Sequence, residues 1–157
     1  MKYLDVEIRP MLDSDLPQVM EIENLCFLHP YKEKDILYEL HENPVSTVLV
    51  IEYTAKSLGL KQVVGFVDYW ITFDSATICQ ICVNPLFRRK GLGSMMIDEL
   101  VSDCKANRVR NITLEVRENN DAAIKLYEKN GFKKSLVKEA YYTNGDNAVY
   151  MIRELEY

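Results

Sequence analysis

Residues Val83–Gly93 read VNPLFRRKGLG. Ahead of them, Ala76–Val83 is a run of apolar and β-branched residues, the composition of a strand. Behind them, Leu92, Met96, Ile97, Leu100, Val101 and Cys104 recur at helical spacing. A strand that turns through Arg88-Arg89-Lys90-Gly91-Leu92-Gly93 into a helix gathers backbone N–H groups and the positive end of a helix dipole at one point. Gly91 and Gly93 let an anion approach the backbone closely, and the three cations add charge beside it. Pyrophosphate is the natural guest. Gly93 is followed by Ser94-Met95, which excludes the G-K-[ST] ending of a P-loop, and the third small residue of a dinucleotide fingerprint is missing.

Outward from this turn, Asn111–Arg117 reads as a strand, so the unit is strand, helix, strand with a right-handed crossover and parallel strands. Asn120–Asn130 is helical up to Gly131, and Phe132–Thr143 with Ala148–Leu155 predicts a hairpin across Asn144-Gly145. Toward the N terminus, Val45–Tyr53 and Gln62–Phe73 predict an antiparallel hairpin through TAKSLGLK. Lys32–Glu42 reads as a short helix before Asn43-Pro44. An earlier helix carries Leu16, Val19, Met20, Glu23, Cys26 and Phe27 on one stripe, with Glu23 its only charge. Leu4–Arg9 alternates as a strand that Pro10 ends. The class is α/β of the α+β kind, in one domain spanning residues 1–157.

Composition narrows the function classes. The formal charge of −5 opposes a broad nucleic-acid footprint, and no apolar run is long enough to span a bilayer. Met1-Lys2-Tyr3 leads into a strand pattern rather than a signal peptide, so the expected location is the cytoplasm. Of the four cysteines, Cys79 and Cys82 sit three apart in TICQICV, where simple alternation points them to opposite faces. No second pair has metal-ligand spacing. All four, with Cys26 and Cys104, are expected to be free structural thiols, with no metal bound.

VNPLFRRKGLG resembles the V-x-P-x-[YF]-[RQ]-x-x-G-x-[GA] signature of the GCN5-related N-acetyltransferases, and NNDAAIKLYEKNGF resembles their downstream N-x-x-A-x-x-L-Y-x-x-x-G-F signature. LEVR lies between them and a Tyr-Tyr pair precedes the last hairpin, so the resemblance covers most of the chain, most strongly with the branch of ribosomal-protein alanine and archaeal N-terminal acetyltransferases. It implies a mixed, mostly antiparallel sheet of about seven strands, with a central splayed parallel pair and about four helices. It implies acetyl-coenzyme A as cosubstrate, the backbone of Arg89, Lys90, Gly91, Leu92, Gly93 and Ser94 on its pyrophosphate, Arg88 beside them, and Asn120 on the other side. Ile81, Cys82 and Val83 would follow the pantetheine arm, with the Ile81 and Val83 N–H groups meeting the arm and the thioester carbonyl.

Acetyl transfer to an amine needs a neutral nucleophile, a donor for the developing oxyanion and a proton for the leaving thiolate. The resemblance assigns the base to Glu115, acting through water, and the acid to Tyr127. A glutamate paired with a lysine or Arg117, and a tyrosine packed in the core, are the competing structural readings. Glu23, His29, Tyr31, Tyr141 and Tyr142 would line the peptide groove, between ENLCFLHPYKEK and EAYYTNGDNAVY. Basicity favours an α-amine: about 10–15% of it is neutral at pH 7, against about 0.04% of lysine. The expected partner is therefore a protein N terminus, ribosomal proteins included. A small amine or lysine is the alternative, and a non-catalytic acetyl-coenzyme A sensor is a reading from another class.

Overall fold

The computed structural model describes residues 5–157, so Leu4 of the first predicted strand lies outside the described residues. The strands are β1 (Val6–Pro10), β2 (Ser46–Ala55), β3 (Leu60–Thr72), β4 (Ser75–Val83), β5 (Asn111–Arg117), β6 (Lys133–Lys138) and β7 (Ala148–Glu154). The α-helices are α1 (Leu16–Cys26), α2 (Glu33–Leu37), α3 (Leu92–Ala106) and α4 (Asp121–Lys129). One sheet runs in the order β1-β2-β3-β4-β5-β7-β6. Every neighbour pair is antiparallel except β4 and β5, as the helical crossover through α3 requires.

Two apolar layers hold the sheet. On one face Leu92, Met96, Ile97 and Leu100 of α3, with Ile124 of α4, pack on Ile78, Ile112, Leu114 and Met151. On the other, Val19 and Ile22 of α1 and Ile36 of α2 pack on Val48, Val50, Phe66 and Cys82. The α3 stripe read from the sequence is thus fully buried, and the stripe of α1 is buried at Val19 and Glu23 and partly buried at Leu16, Met20, Cys26 and Phe27. β4 and β5 pair only over Ser75–Thr77 with Asn111–Thr113, and beyond that they diverge.

Three local features depart from the sequence reading. Lys32–Glu42 is not one helix: α2 ends at Leu37, and Tyr38–Glu42 forms a wider π-type turn. That turn carries Glu39 inward, where it accepts from Trp70 Nε1 at 2.6 Å and Asn43 Nδ2 at 2.8 Å. The last hairpin pairs only over β6 and β7, and residues 139–147 form a loop with Gly145 at φ +87°. The third departure concerns the cysteines.

Cys26 and Cys82 form a disulfide, with their Cα atoms 6.6 Å apart, while Cys79 and Cys104 are free. The expectation of four free thiols is therefore corrected. Tyr69 pairs with Ile78 but Asp68 pairs with Gln80, so Cys79 is an extra residue in β4. A bulge resets the alternation, and both Cys79 and Cys82 come to the α1–α2 face. Cys26, the last residue of α1, meets Cys82 because α1 lies across that face.

At the other end, Arg9 holds the entry to α1. Its Nη1 and Nη2 donate to Asp15 at 2.8 and 2.9 Å, and Nη2 also donates to Glu52 at 2.9 Å. Asp15 is 4% exposed and accepts from the Leu12 N–H as well. The Arg9 guanidinium, working against burial, keeps the Asp15 carboxyl below its ordinary range. Asp15→Ala is expected to lower unfolding free energy at pH 7 by about 2 kcal/mol in urea titrations. Because the folded pKa is depressed, this contribution is complete above the unfolded value near 4 and fades as pH falls below it. Wild type and variant should therefore converge in acid.

Candidate active site

β4 is held to β3 up to Asn84, whose N–H donates to Val64 O at 2.8 Å. Amides alternate along an antiparallel strand, so those of Ile81 and Val83 turn away from β3 into the gap that the departing β5 leaves. Buried Asn84 then starts a short turn at Pro85–Phe87 by accepting from the Leu86 N–H at 3.0 Å. Arg88 Nε folds back onto Val83 O at 3.2 Å.

The turn closes with two left-handed residues, Arg89 at φ +61° and Gly91 at φ +80°, and Gly91 caps α3 without a side-chain bond. Met95 is the residue whose N–H reaches back to Gly91 O, at 3.0 Å. Leu92, Gly93 and Ser94 thus offer first-turn N–H groups that no helical carbonyl takes. Gly93 is there for closeness: a Cβ on it would stand 3.0 Å from Leu126 of α4. On the far side, Asn120 caps α4 by accepting from the Ala123 N–H at 3.1 Å.

These pieces line one cleft of about 660 Å³ that runs from the start of α3 to the β4–β5 gap. Of the predicted cofactor residues it brings together Ile81, Cys82, Val83, Arg88, Arg89, Gly91, Leu92, Gly93, Ser94 and Asn120. Lys90 is not on its wall. Tyr127 is, with its ring edge-on to Phe132 at 5.9 Å. Tyr127 is therefore both a core aromatic and a cleft residue. Burial raises the pKa of its phenol well above the usual value, with Tyr142 adding to the effect, so the group stays protonated at neutral pH.

Glu115 stands on the other side of the splay. It pairs with Tyr150 across β5 and β7, and Lys138 Nζ donates to its Oε1 at 2.5 Å. Burial pushes its pKa up, but Lys138 and the Tyr141 hydroxyl outweigh it and hold the carboxyl below the ordinary glutamate range. The lysine pairing weighed as a structural reading is present. It leaves Glu115 ionised at neutral pH.

The groove residues divide. Tyr141 is half exposed beside Tyr142, and the Tyr142 ring lies 3.9 Å from the Arg117 guanidinium. Tyr31 is half buried and His29 exposed. Glu23 is 0% exposed, and its Oε1 accepts from the Tyr31 N–H at 2.7 Å and Gln80 Nε2 at 2.8 Å. Burial raises its pKa. Glu23 braces the corner after α1 rather than presenting its carboxylate to the groove. The sequence reading missed Phe27, Phe87 and Leu126 on the cleft wall, and Lys138 on Glu115. Leu126 was within reach, being one turn from Ala122 and Ala123; the others come together only through tertiary contacts.

A model of the acetyltransferase (GNAT) family matches residues 16–132. A Bacillus subtilis protein provisionally named [ribosomal protein bS18]-alanine N-acetyltransferase is 34% identical over 145 residues, 92% of each chain. The [ribosomal protein bS18]-alanine N-acetyltransferase of Salmonella typhimurium is 33% identical over 129 residues, 82% of each. Among solved structures, Ard1 from Thermoplasma volcanium superposes with a TM-score of 0.84 at 31% identity, over 97% of this chain and 99% of that one.

Proposed function

The chain belongs to the acetyltransferase (GNAT) family and is an N-acetyltransferase; from that premise we propose that it moves the acetyl group of acetyl-coenzyme A onto the N-terminal α-amine of a protein in the cytoplasm. The observation that carries this reading is the continuity of the cleft from the unspent N–H groups of Leu92, Gly93 and Ser94 to the β4–β5 gap. A pyrophosphate fits the first end and a thin pantetheine arm the second. The bound cosubstrate supplies the activated thioester. The names of the relatives point further, to a ribosomal-protein N terminus beginning with alanine.

In this scheme the Val83 N–H, facing the gap, stabilises the carbonyl oxygen as it becomes an oxyanion, and does so without reorganisation. Glu115 takes the amine's proton through water, and Tyr127 gives its proton to the departing thiolate. A carboxylate whose pKa is held low is a weak base. It suffices for an α-amine, whose own pKa is near 7.8, far better than for a lysine near 10.4. Tyr31, Tyr141 and Tyr142 are the candidates to contact the backbone of an entering peptide.

Incubation with acetyl-coenzyme A and short peptides that differ in their first residue should release coenzyme A with free α-amines; release only with small amines or lysine would sink the substrate class. Glu115→Gln should lower kcat by about tenfold or more, while Lys138→Met should shift the acid limb of the kcat/KM profile upward, since burial is then opposed only by the Tyr141 hydroxyl. An unmoved limb would detach Lys138 from the base.

A further inference from the structure

The α1–α2 face holds a polar cluster that the acetyl-transfer scheme does not use. Glu23, Glu39 and Asp68 are 0%, 6% and 1% exposed. Among the described residues none of them pairs with a lysine or arginine. Three carboxylates buried together without a cation are costly to ionise. Their partners satisfy only part of them. Asp68 Oδ1 accepts from Ser46 Oγ at 2.9 Å, but Asp68 Oδ2, Glu23 Oε2 and Gln80 Oε1 meet no donor. Gln80 is the β4 partner of Asp68, so these unpaired acceptors converge on one place.

The bulge described above brings a thiol to the same place. One oxygen each of Glu39 and Asp68 and the Cys79 Sγ all lie within 4.8 Å of one another. They come from three separate elements: the π-type turn after α2, β3 and the bulged residue of β4. We propose that Glu39, Asp68 and Cys79 form a structural site for a zinc-class divalent cation, apart from the cofactor cleft.

The donor set selects the ion. Two carboxylates and a thiolate match a borderline-soft cation such as Zn²⁺, whereas Mg²⁺ and Ca²⁺ take all-oxygen shells. Zinc bonds of about 2.0–2.3 Å require each donor to move inward by less than about 1 Å. Glu39 can bind without giving up Trp70 and Asn43, because each carboxylate oxygen accepts more than one partner. The ion neutralises the buried charge and ties the turn after α2 to the sheet. On binding, the Cys79 thiol gives up its proton to solvent; no redox change occurs. Cys79 is only half buried, which leaves a way in for the ion.

The competing arrangement is a proton shared between Asp68 and Glu39. The full chain, without a histidine tag, should be stripped with chelator, dialysed and titrated with Co²⁺ and separately with Zn²⁺. One equivalent of Co²⁺ should produce a near-ultraviolet thiolate-to-cobalt band, and Zn²⁺ should abolish that band and raise the thermal midpoint. Cys79→Ser and Asp68→Asn should each lose the band, and Cys104→Ser should keep it. Asp68→Asn is to be checked for folding by circular dichroism, with Cys79→Ser as the variant that decides if it fails. No thiolate band and no thermal shift in the unsubstituted chain overturns the proposal in favour of the shared proton. A band that survives Cys79→Ser overturns it in favour of a surface site.

Discussion

Tyr127→Phe is expected to lower kcat by about 100-fold or more, while the Kd for coenzyme A changes by less than about threefold. The ring's packing against Phe132 survives the change, and only the hydroxyl is lost. The phenol is buried on the cleft wall, and burial holds it protonated far above neutral pH. A thiolate leaving into the same desolvated space gains a proton only from a group already placed there. Rapid-quench measurement of the acetyl-transfer step separates this from slow product release. Full activity in the variant would return Tyr127 to a packing role alone.

The second large effect is on binding. Gly93→Asp should raise the Kd for coenzyme A by about 100-fold or more, because it sets a carboxylate beside the proposed pyrophosphate site and a side chain against Leu126. Gly93→Ala separates the two causes. Its Cβ meets only the mobile end of Leu126 at 3.0 Å, so a shift of a few tenths of an ångström accommodates it, and the loss should be far smaller. Isothermal titration of both variants with coenzyme A reads the difference. Equal losses would mean that packing between α3 and α4 dominates and that charge does not.

The strand-turn-helix geometry at the start of α3 was legible in VNPLFRRKGLG because each of its parts is local: a strand end, a turn with glycines, a helix start. The parallel pairing of β4 with β5 followed from the crossover through α3. What stayed hidden depended on registers and contacts between distant segments. The bulge at Cys79 reverses the face of everything after it, and nothing in TICQICV marks which residue is extra. The Cys26–Cys82 bond follows from that bulge together with the lie of α1. Glu115 stood out as a charge in a central strand, but its lysine came from β6, two strands away in the sheet. Glu23 stood out on an apolar stripe, and the fold buries it.

The most direct test uses one peptide that begins with alanine and carries an internal lysine, incubated with the enzyme and acetyl-coenzyme A at pH 7 and sequenced by fragmentation mass spectrometry. The account predicts a single acetyl group on the N-terminal nitrogen, absent when Tyr127 is phenylalanine. An acetyl group on the lysine alone, or none on either amine while coenzyme A binds the cleft, would contradict it.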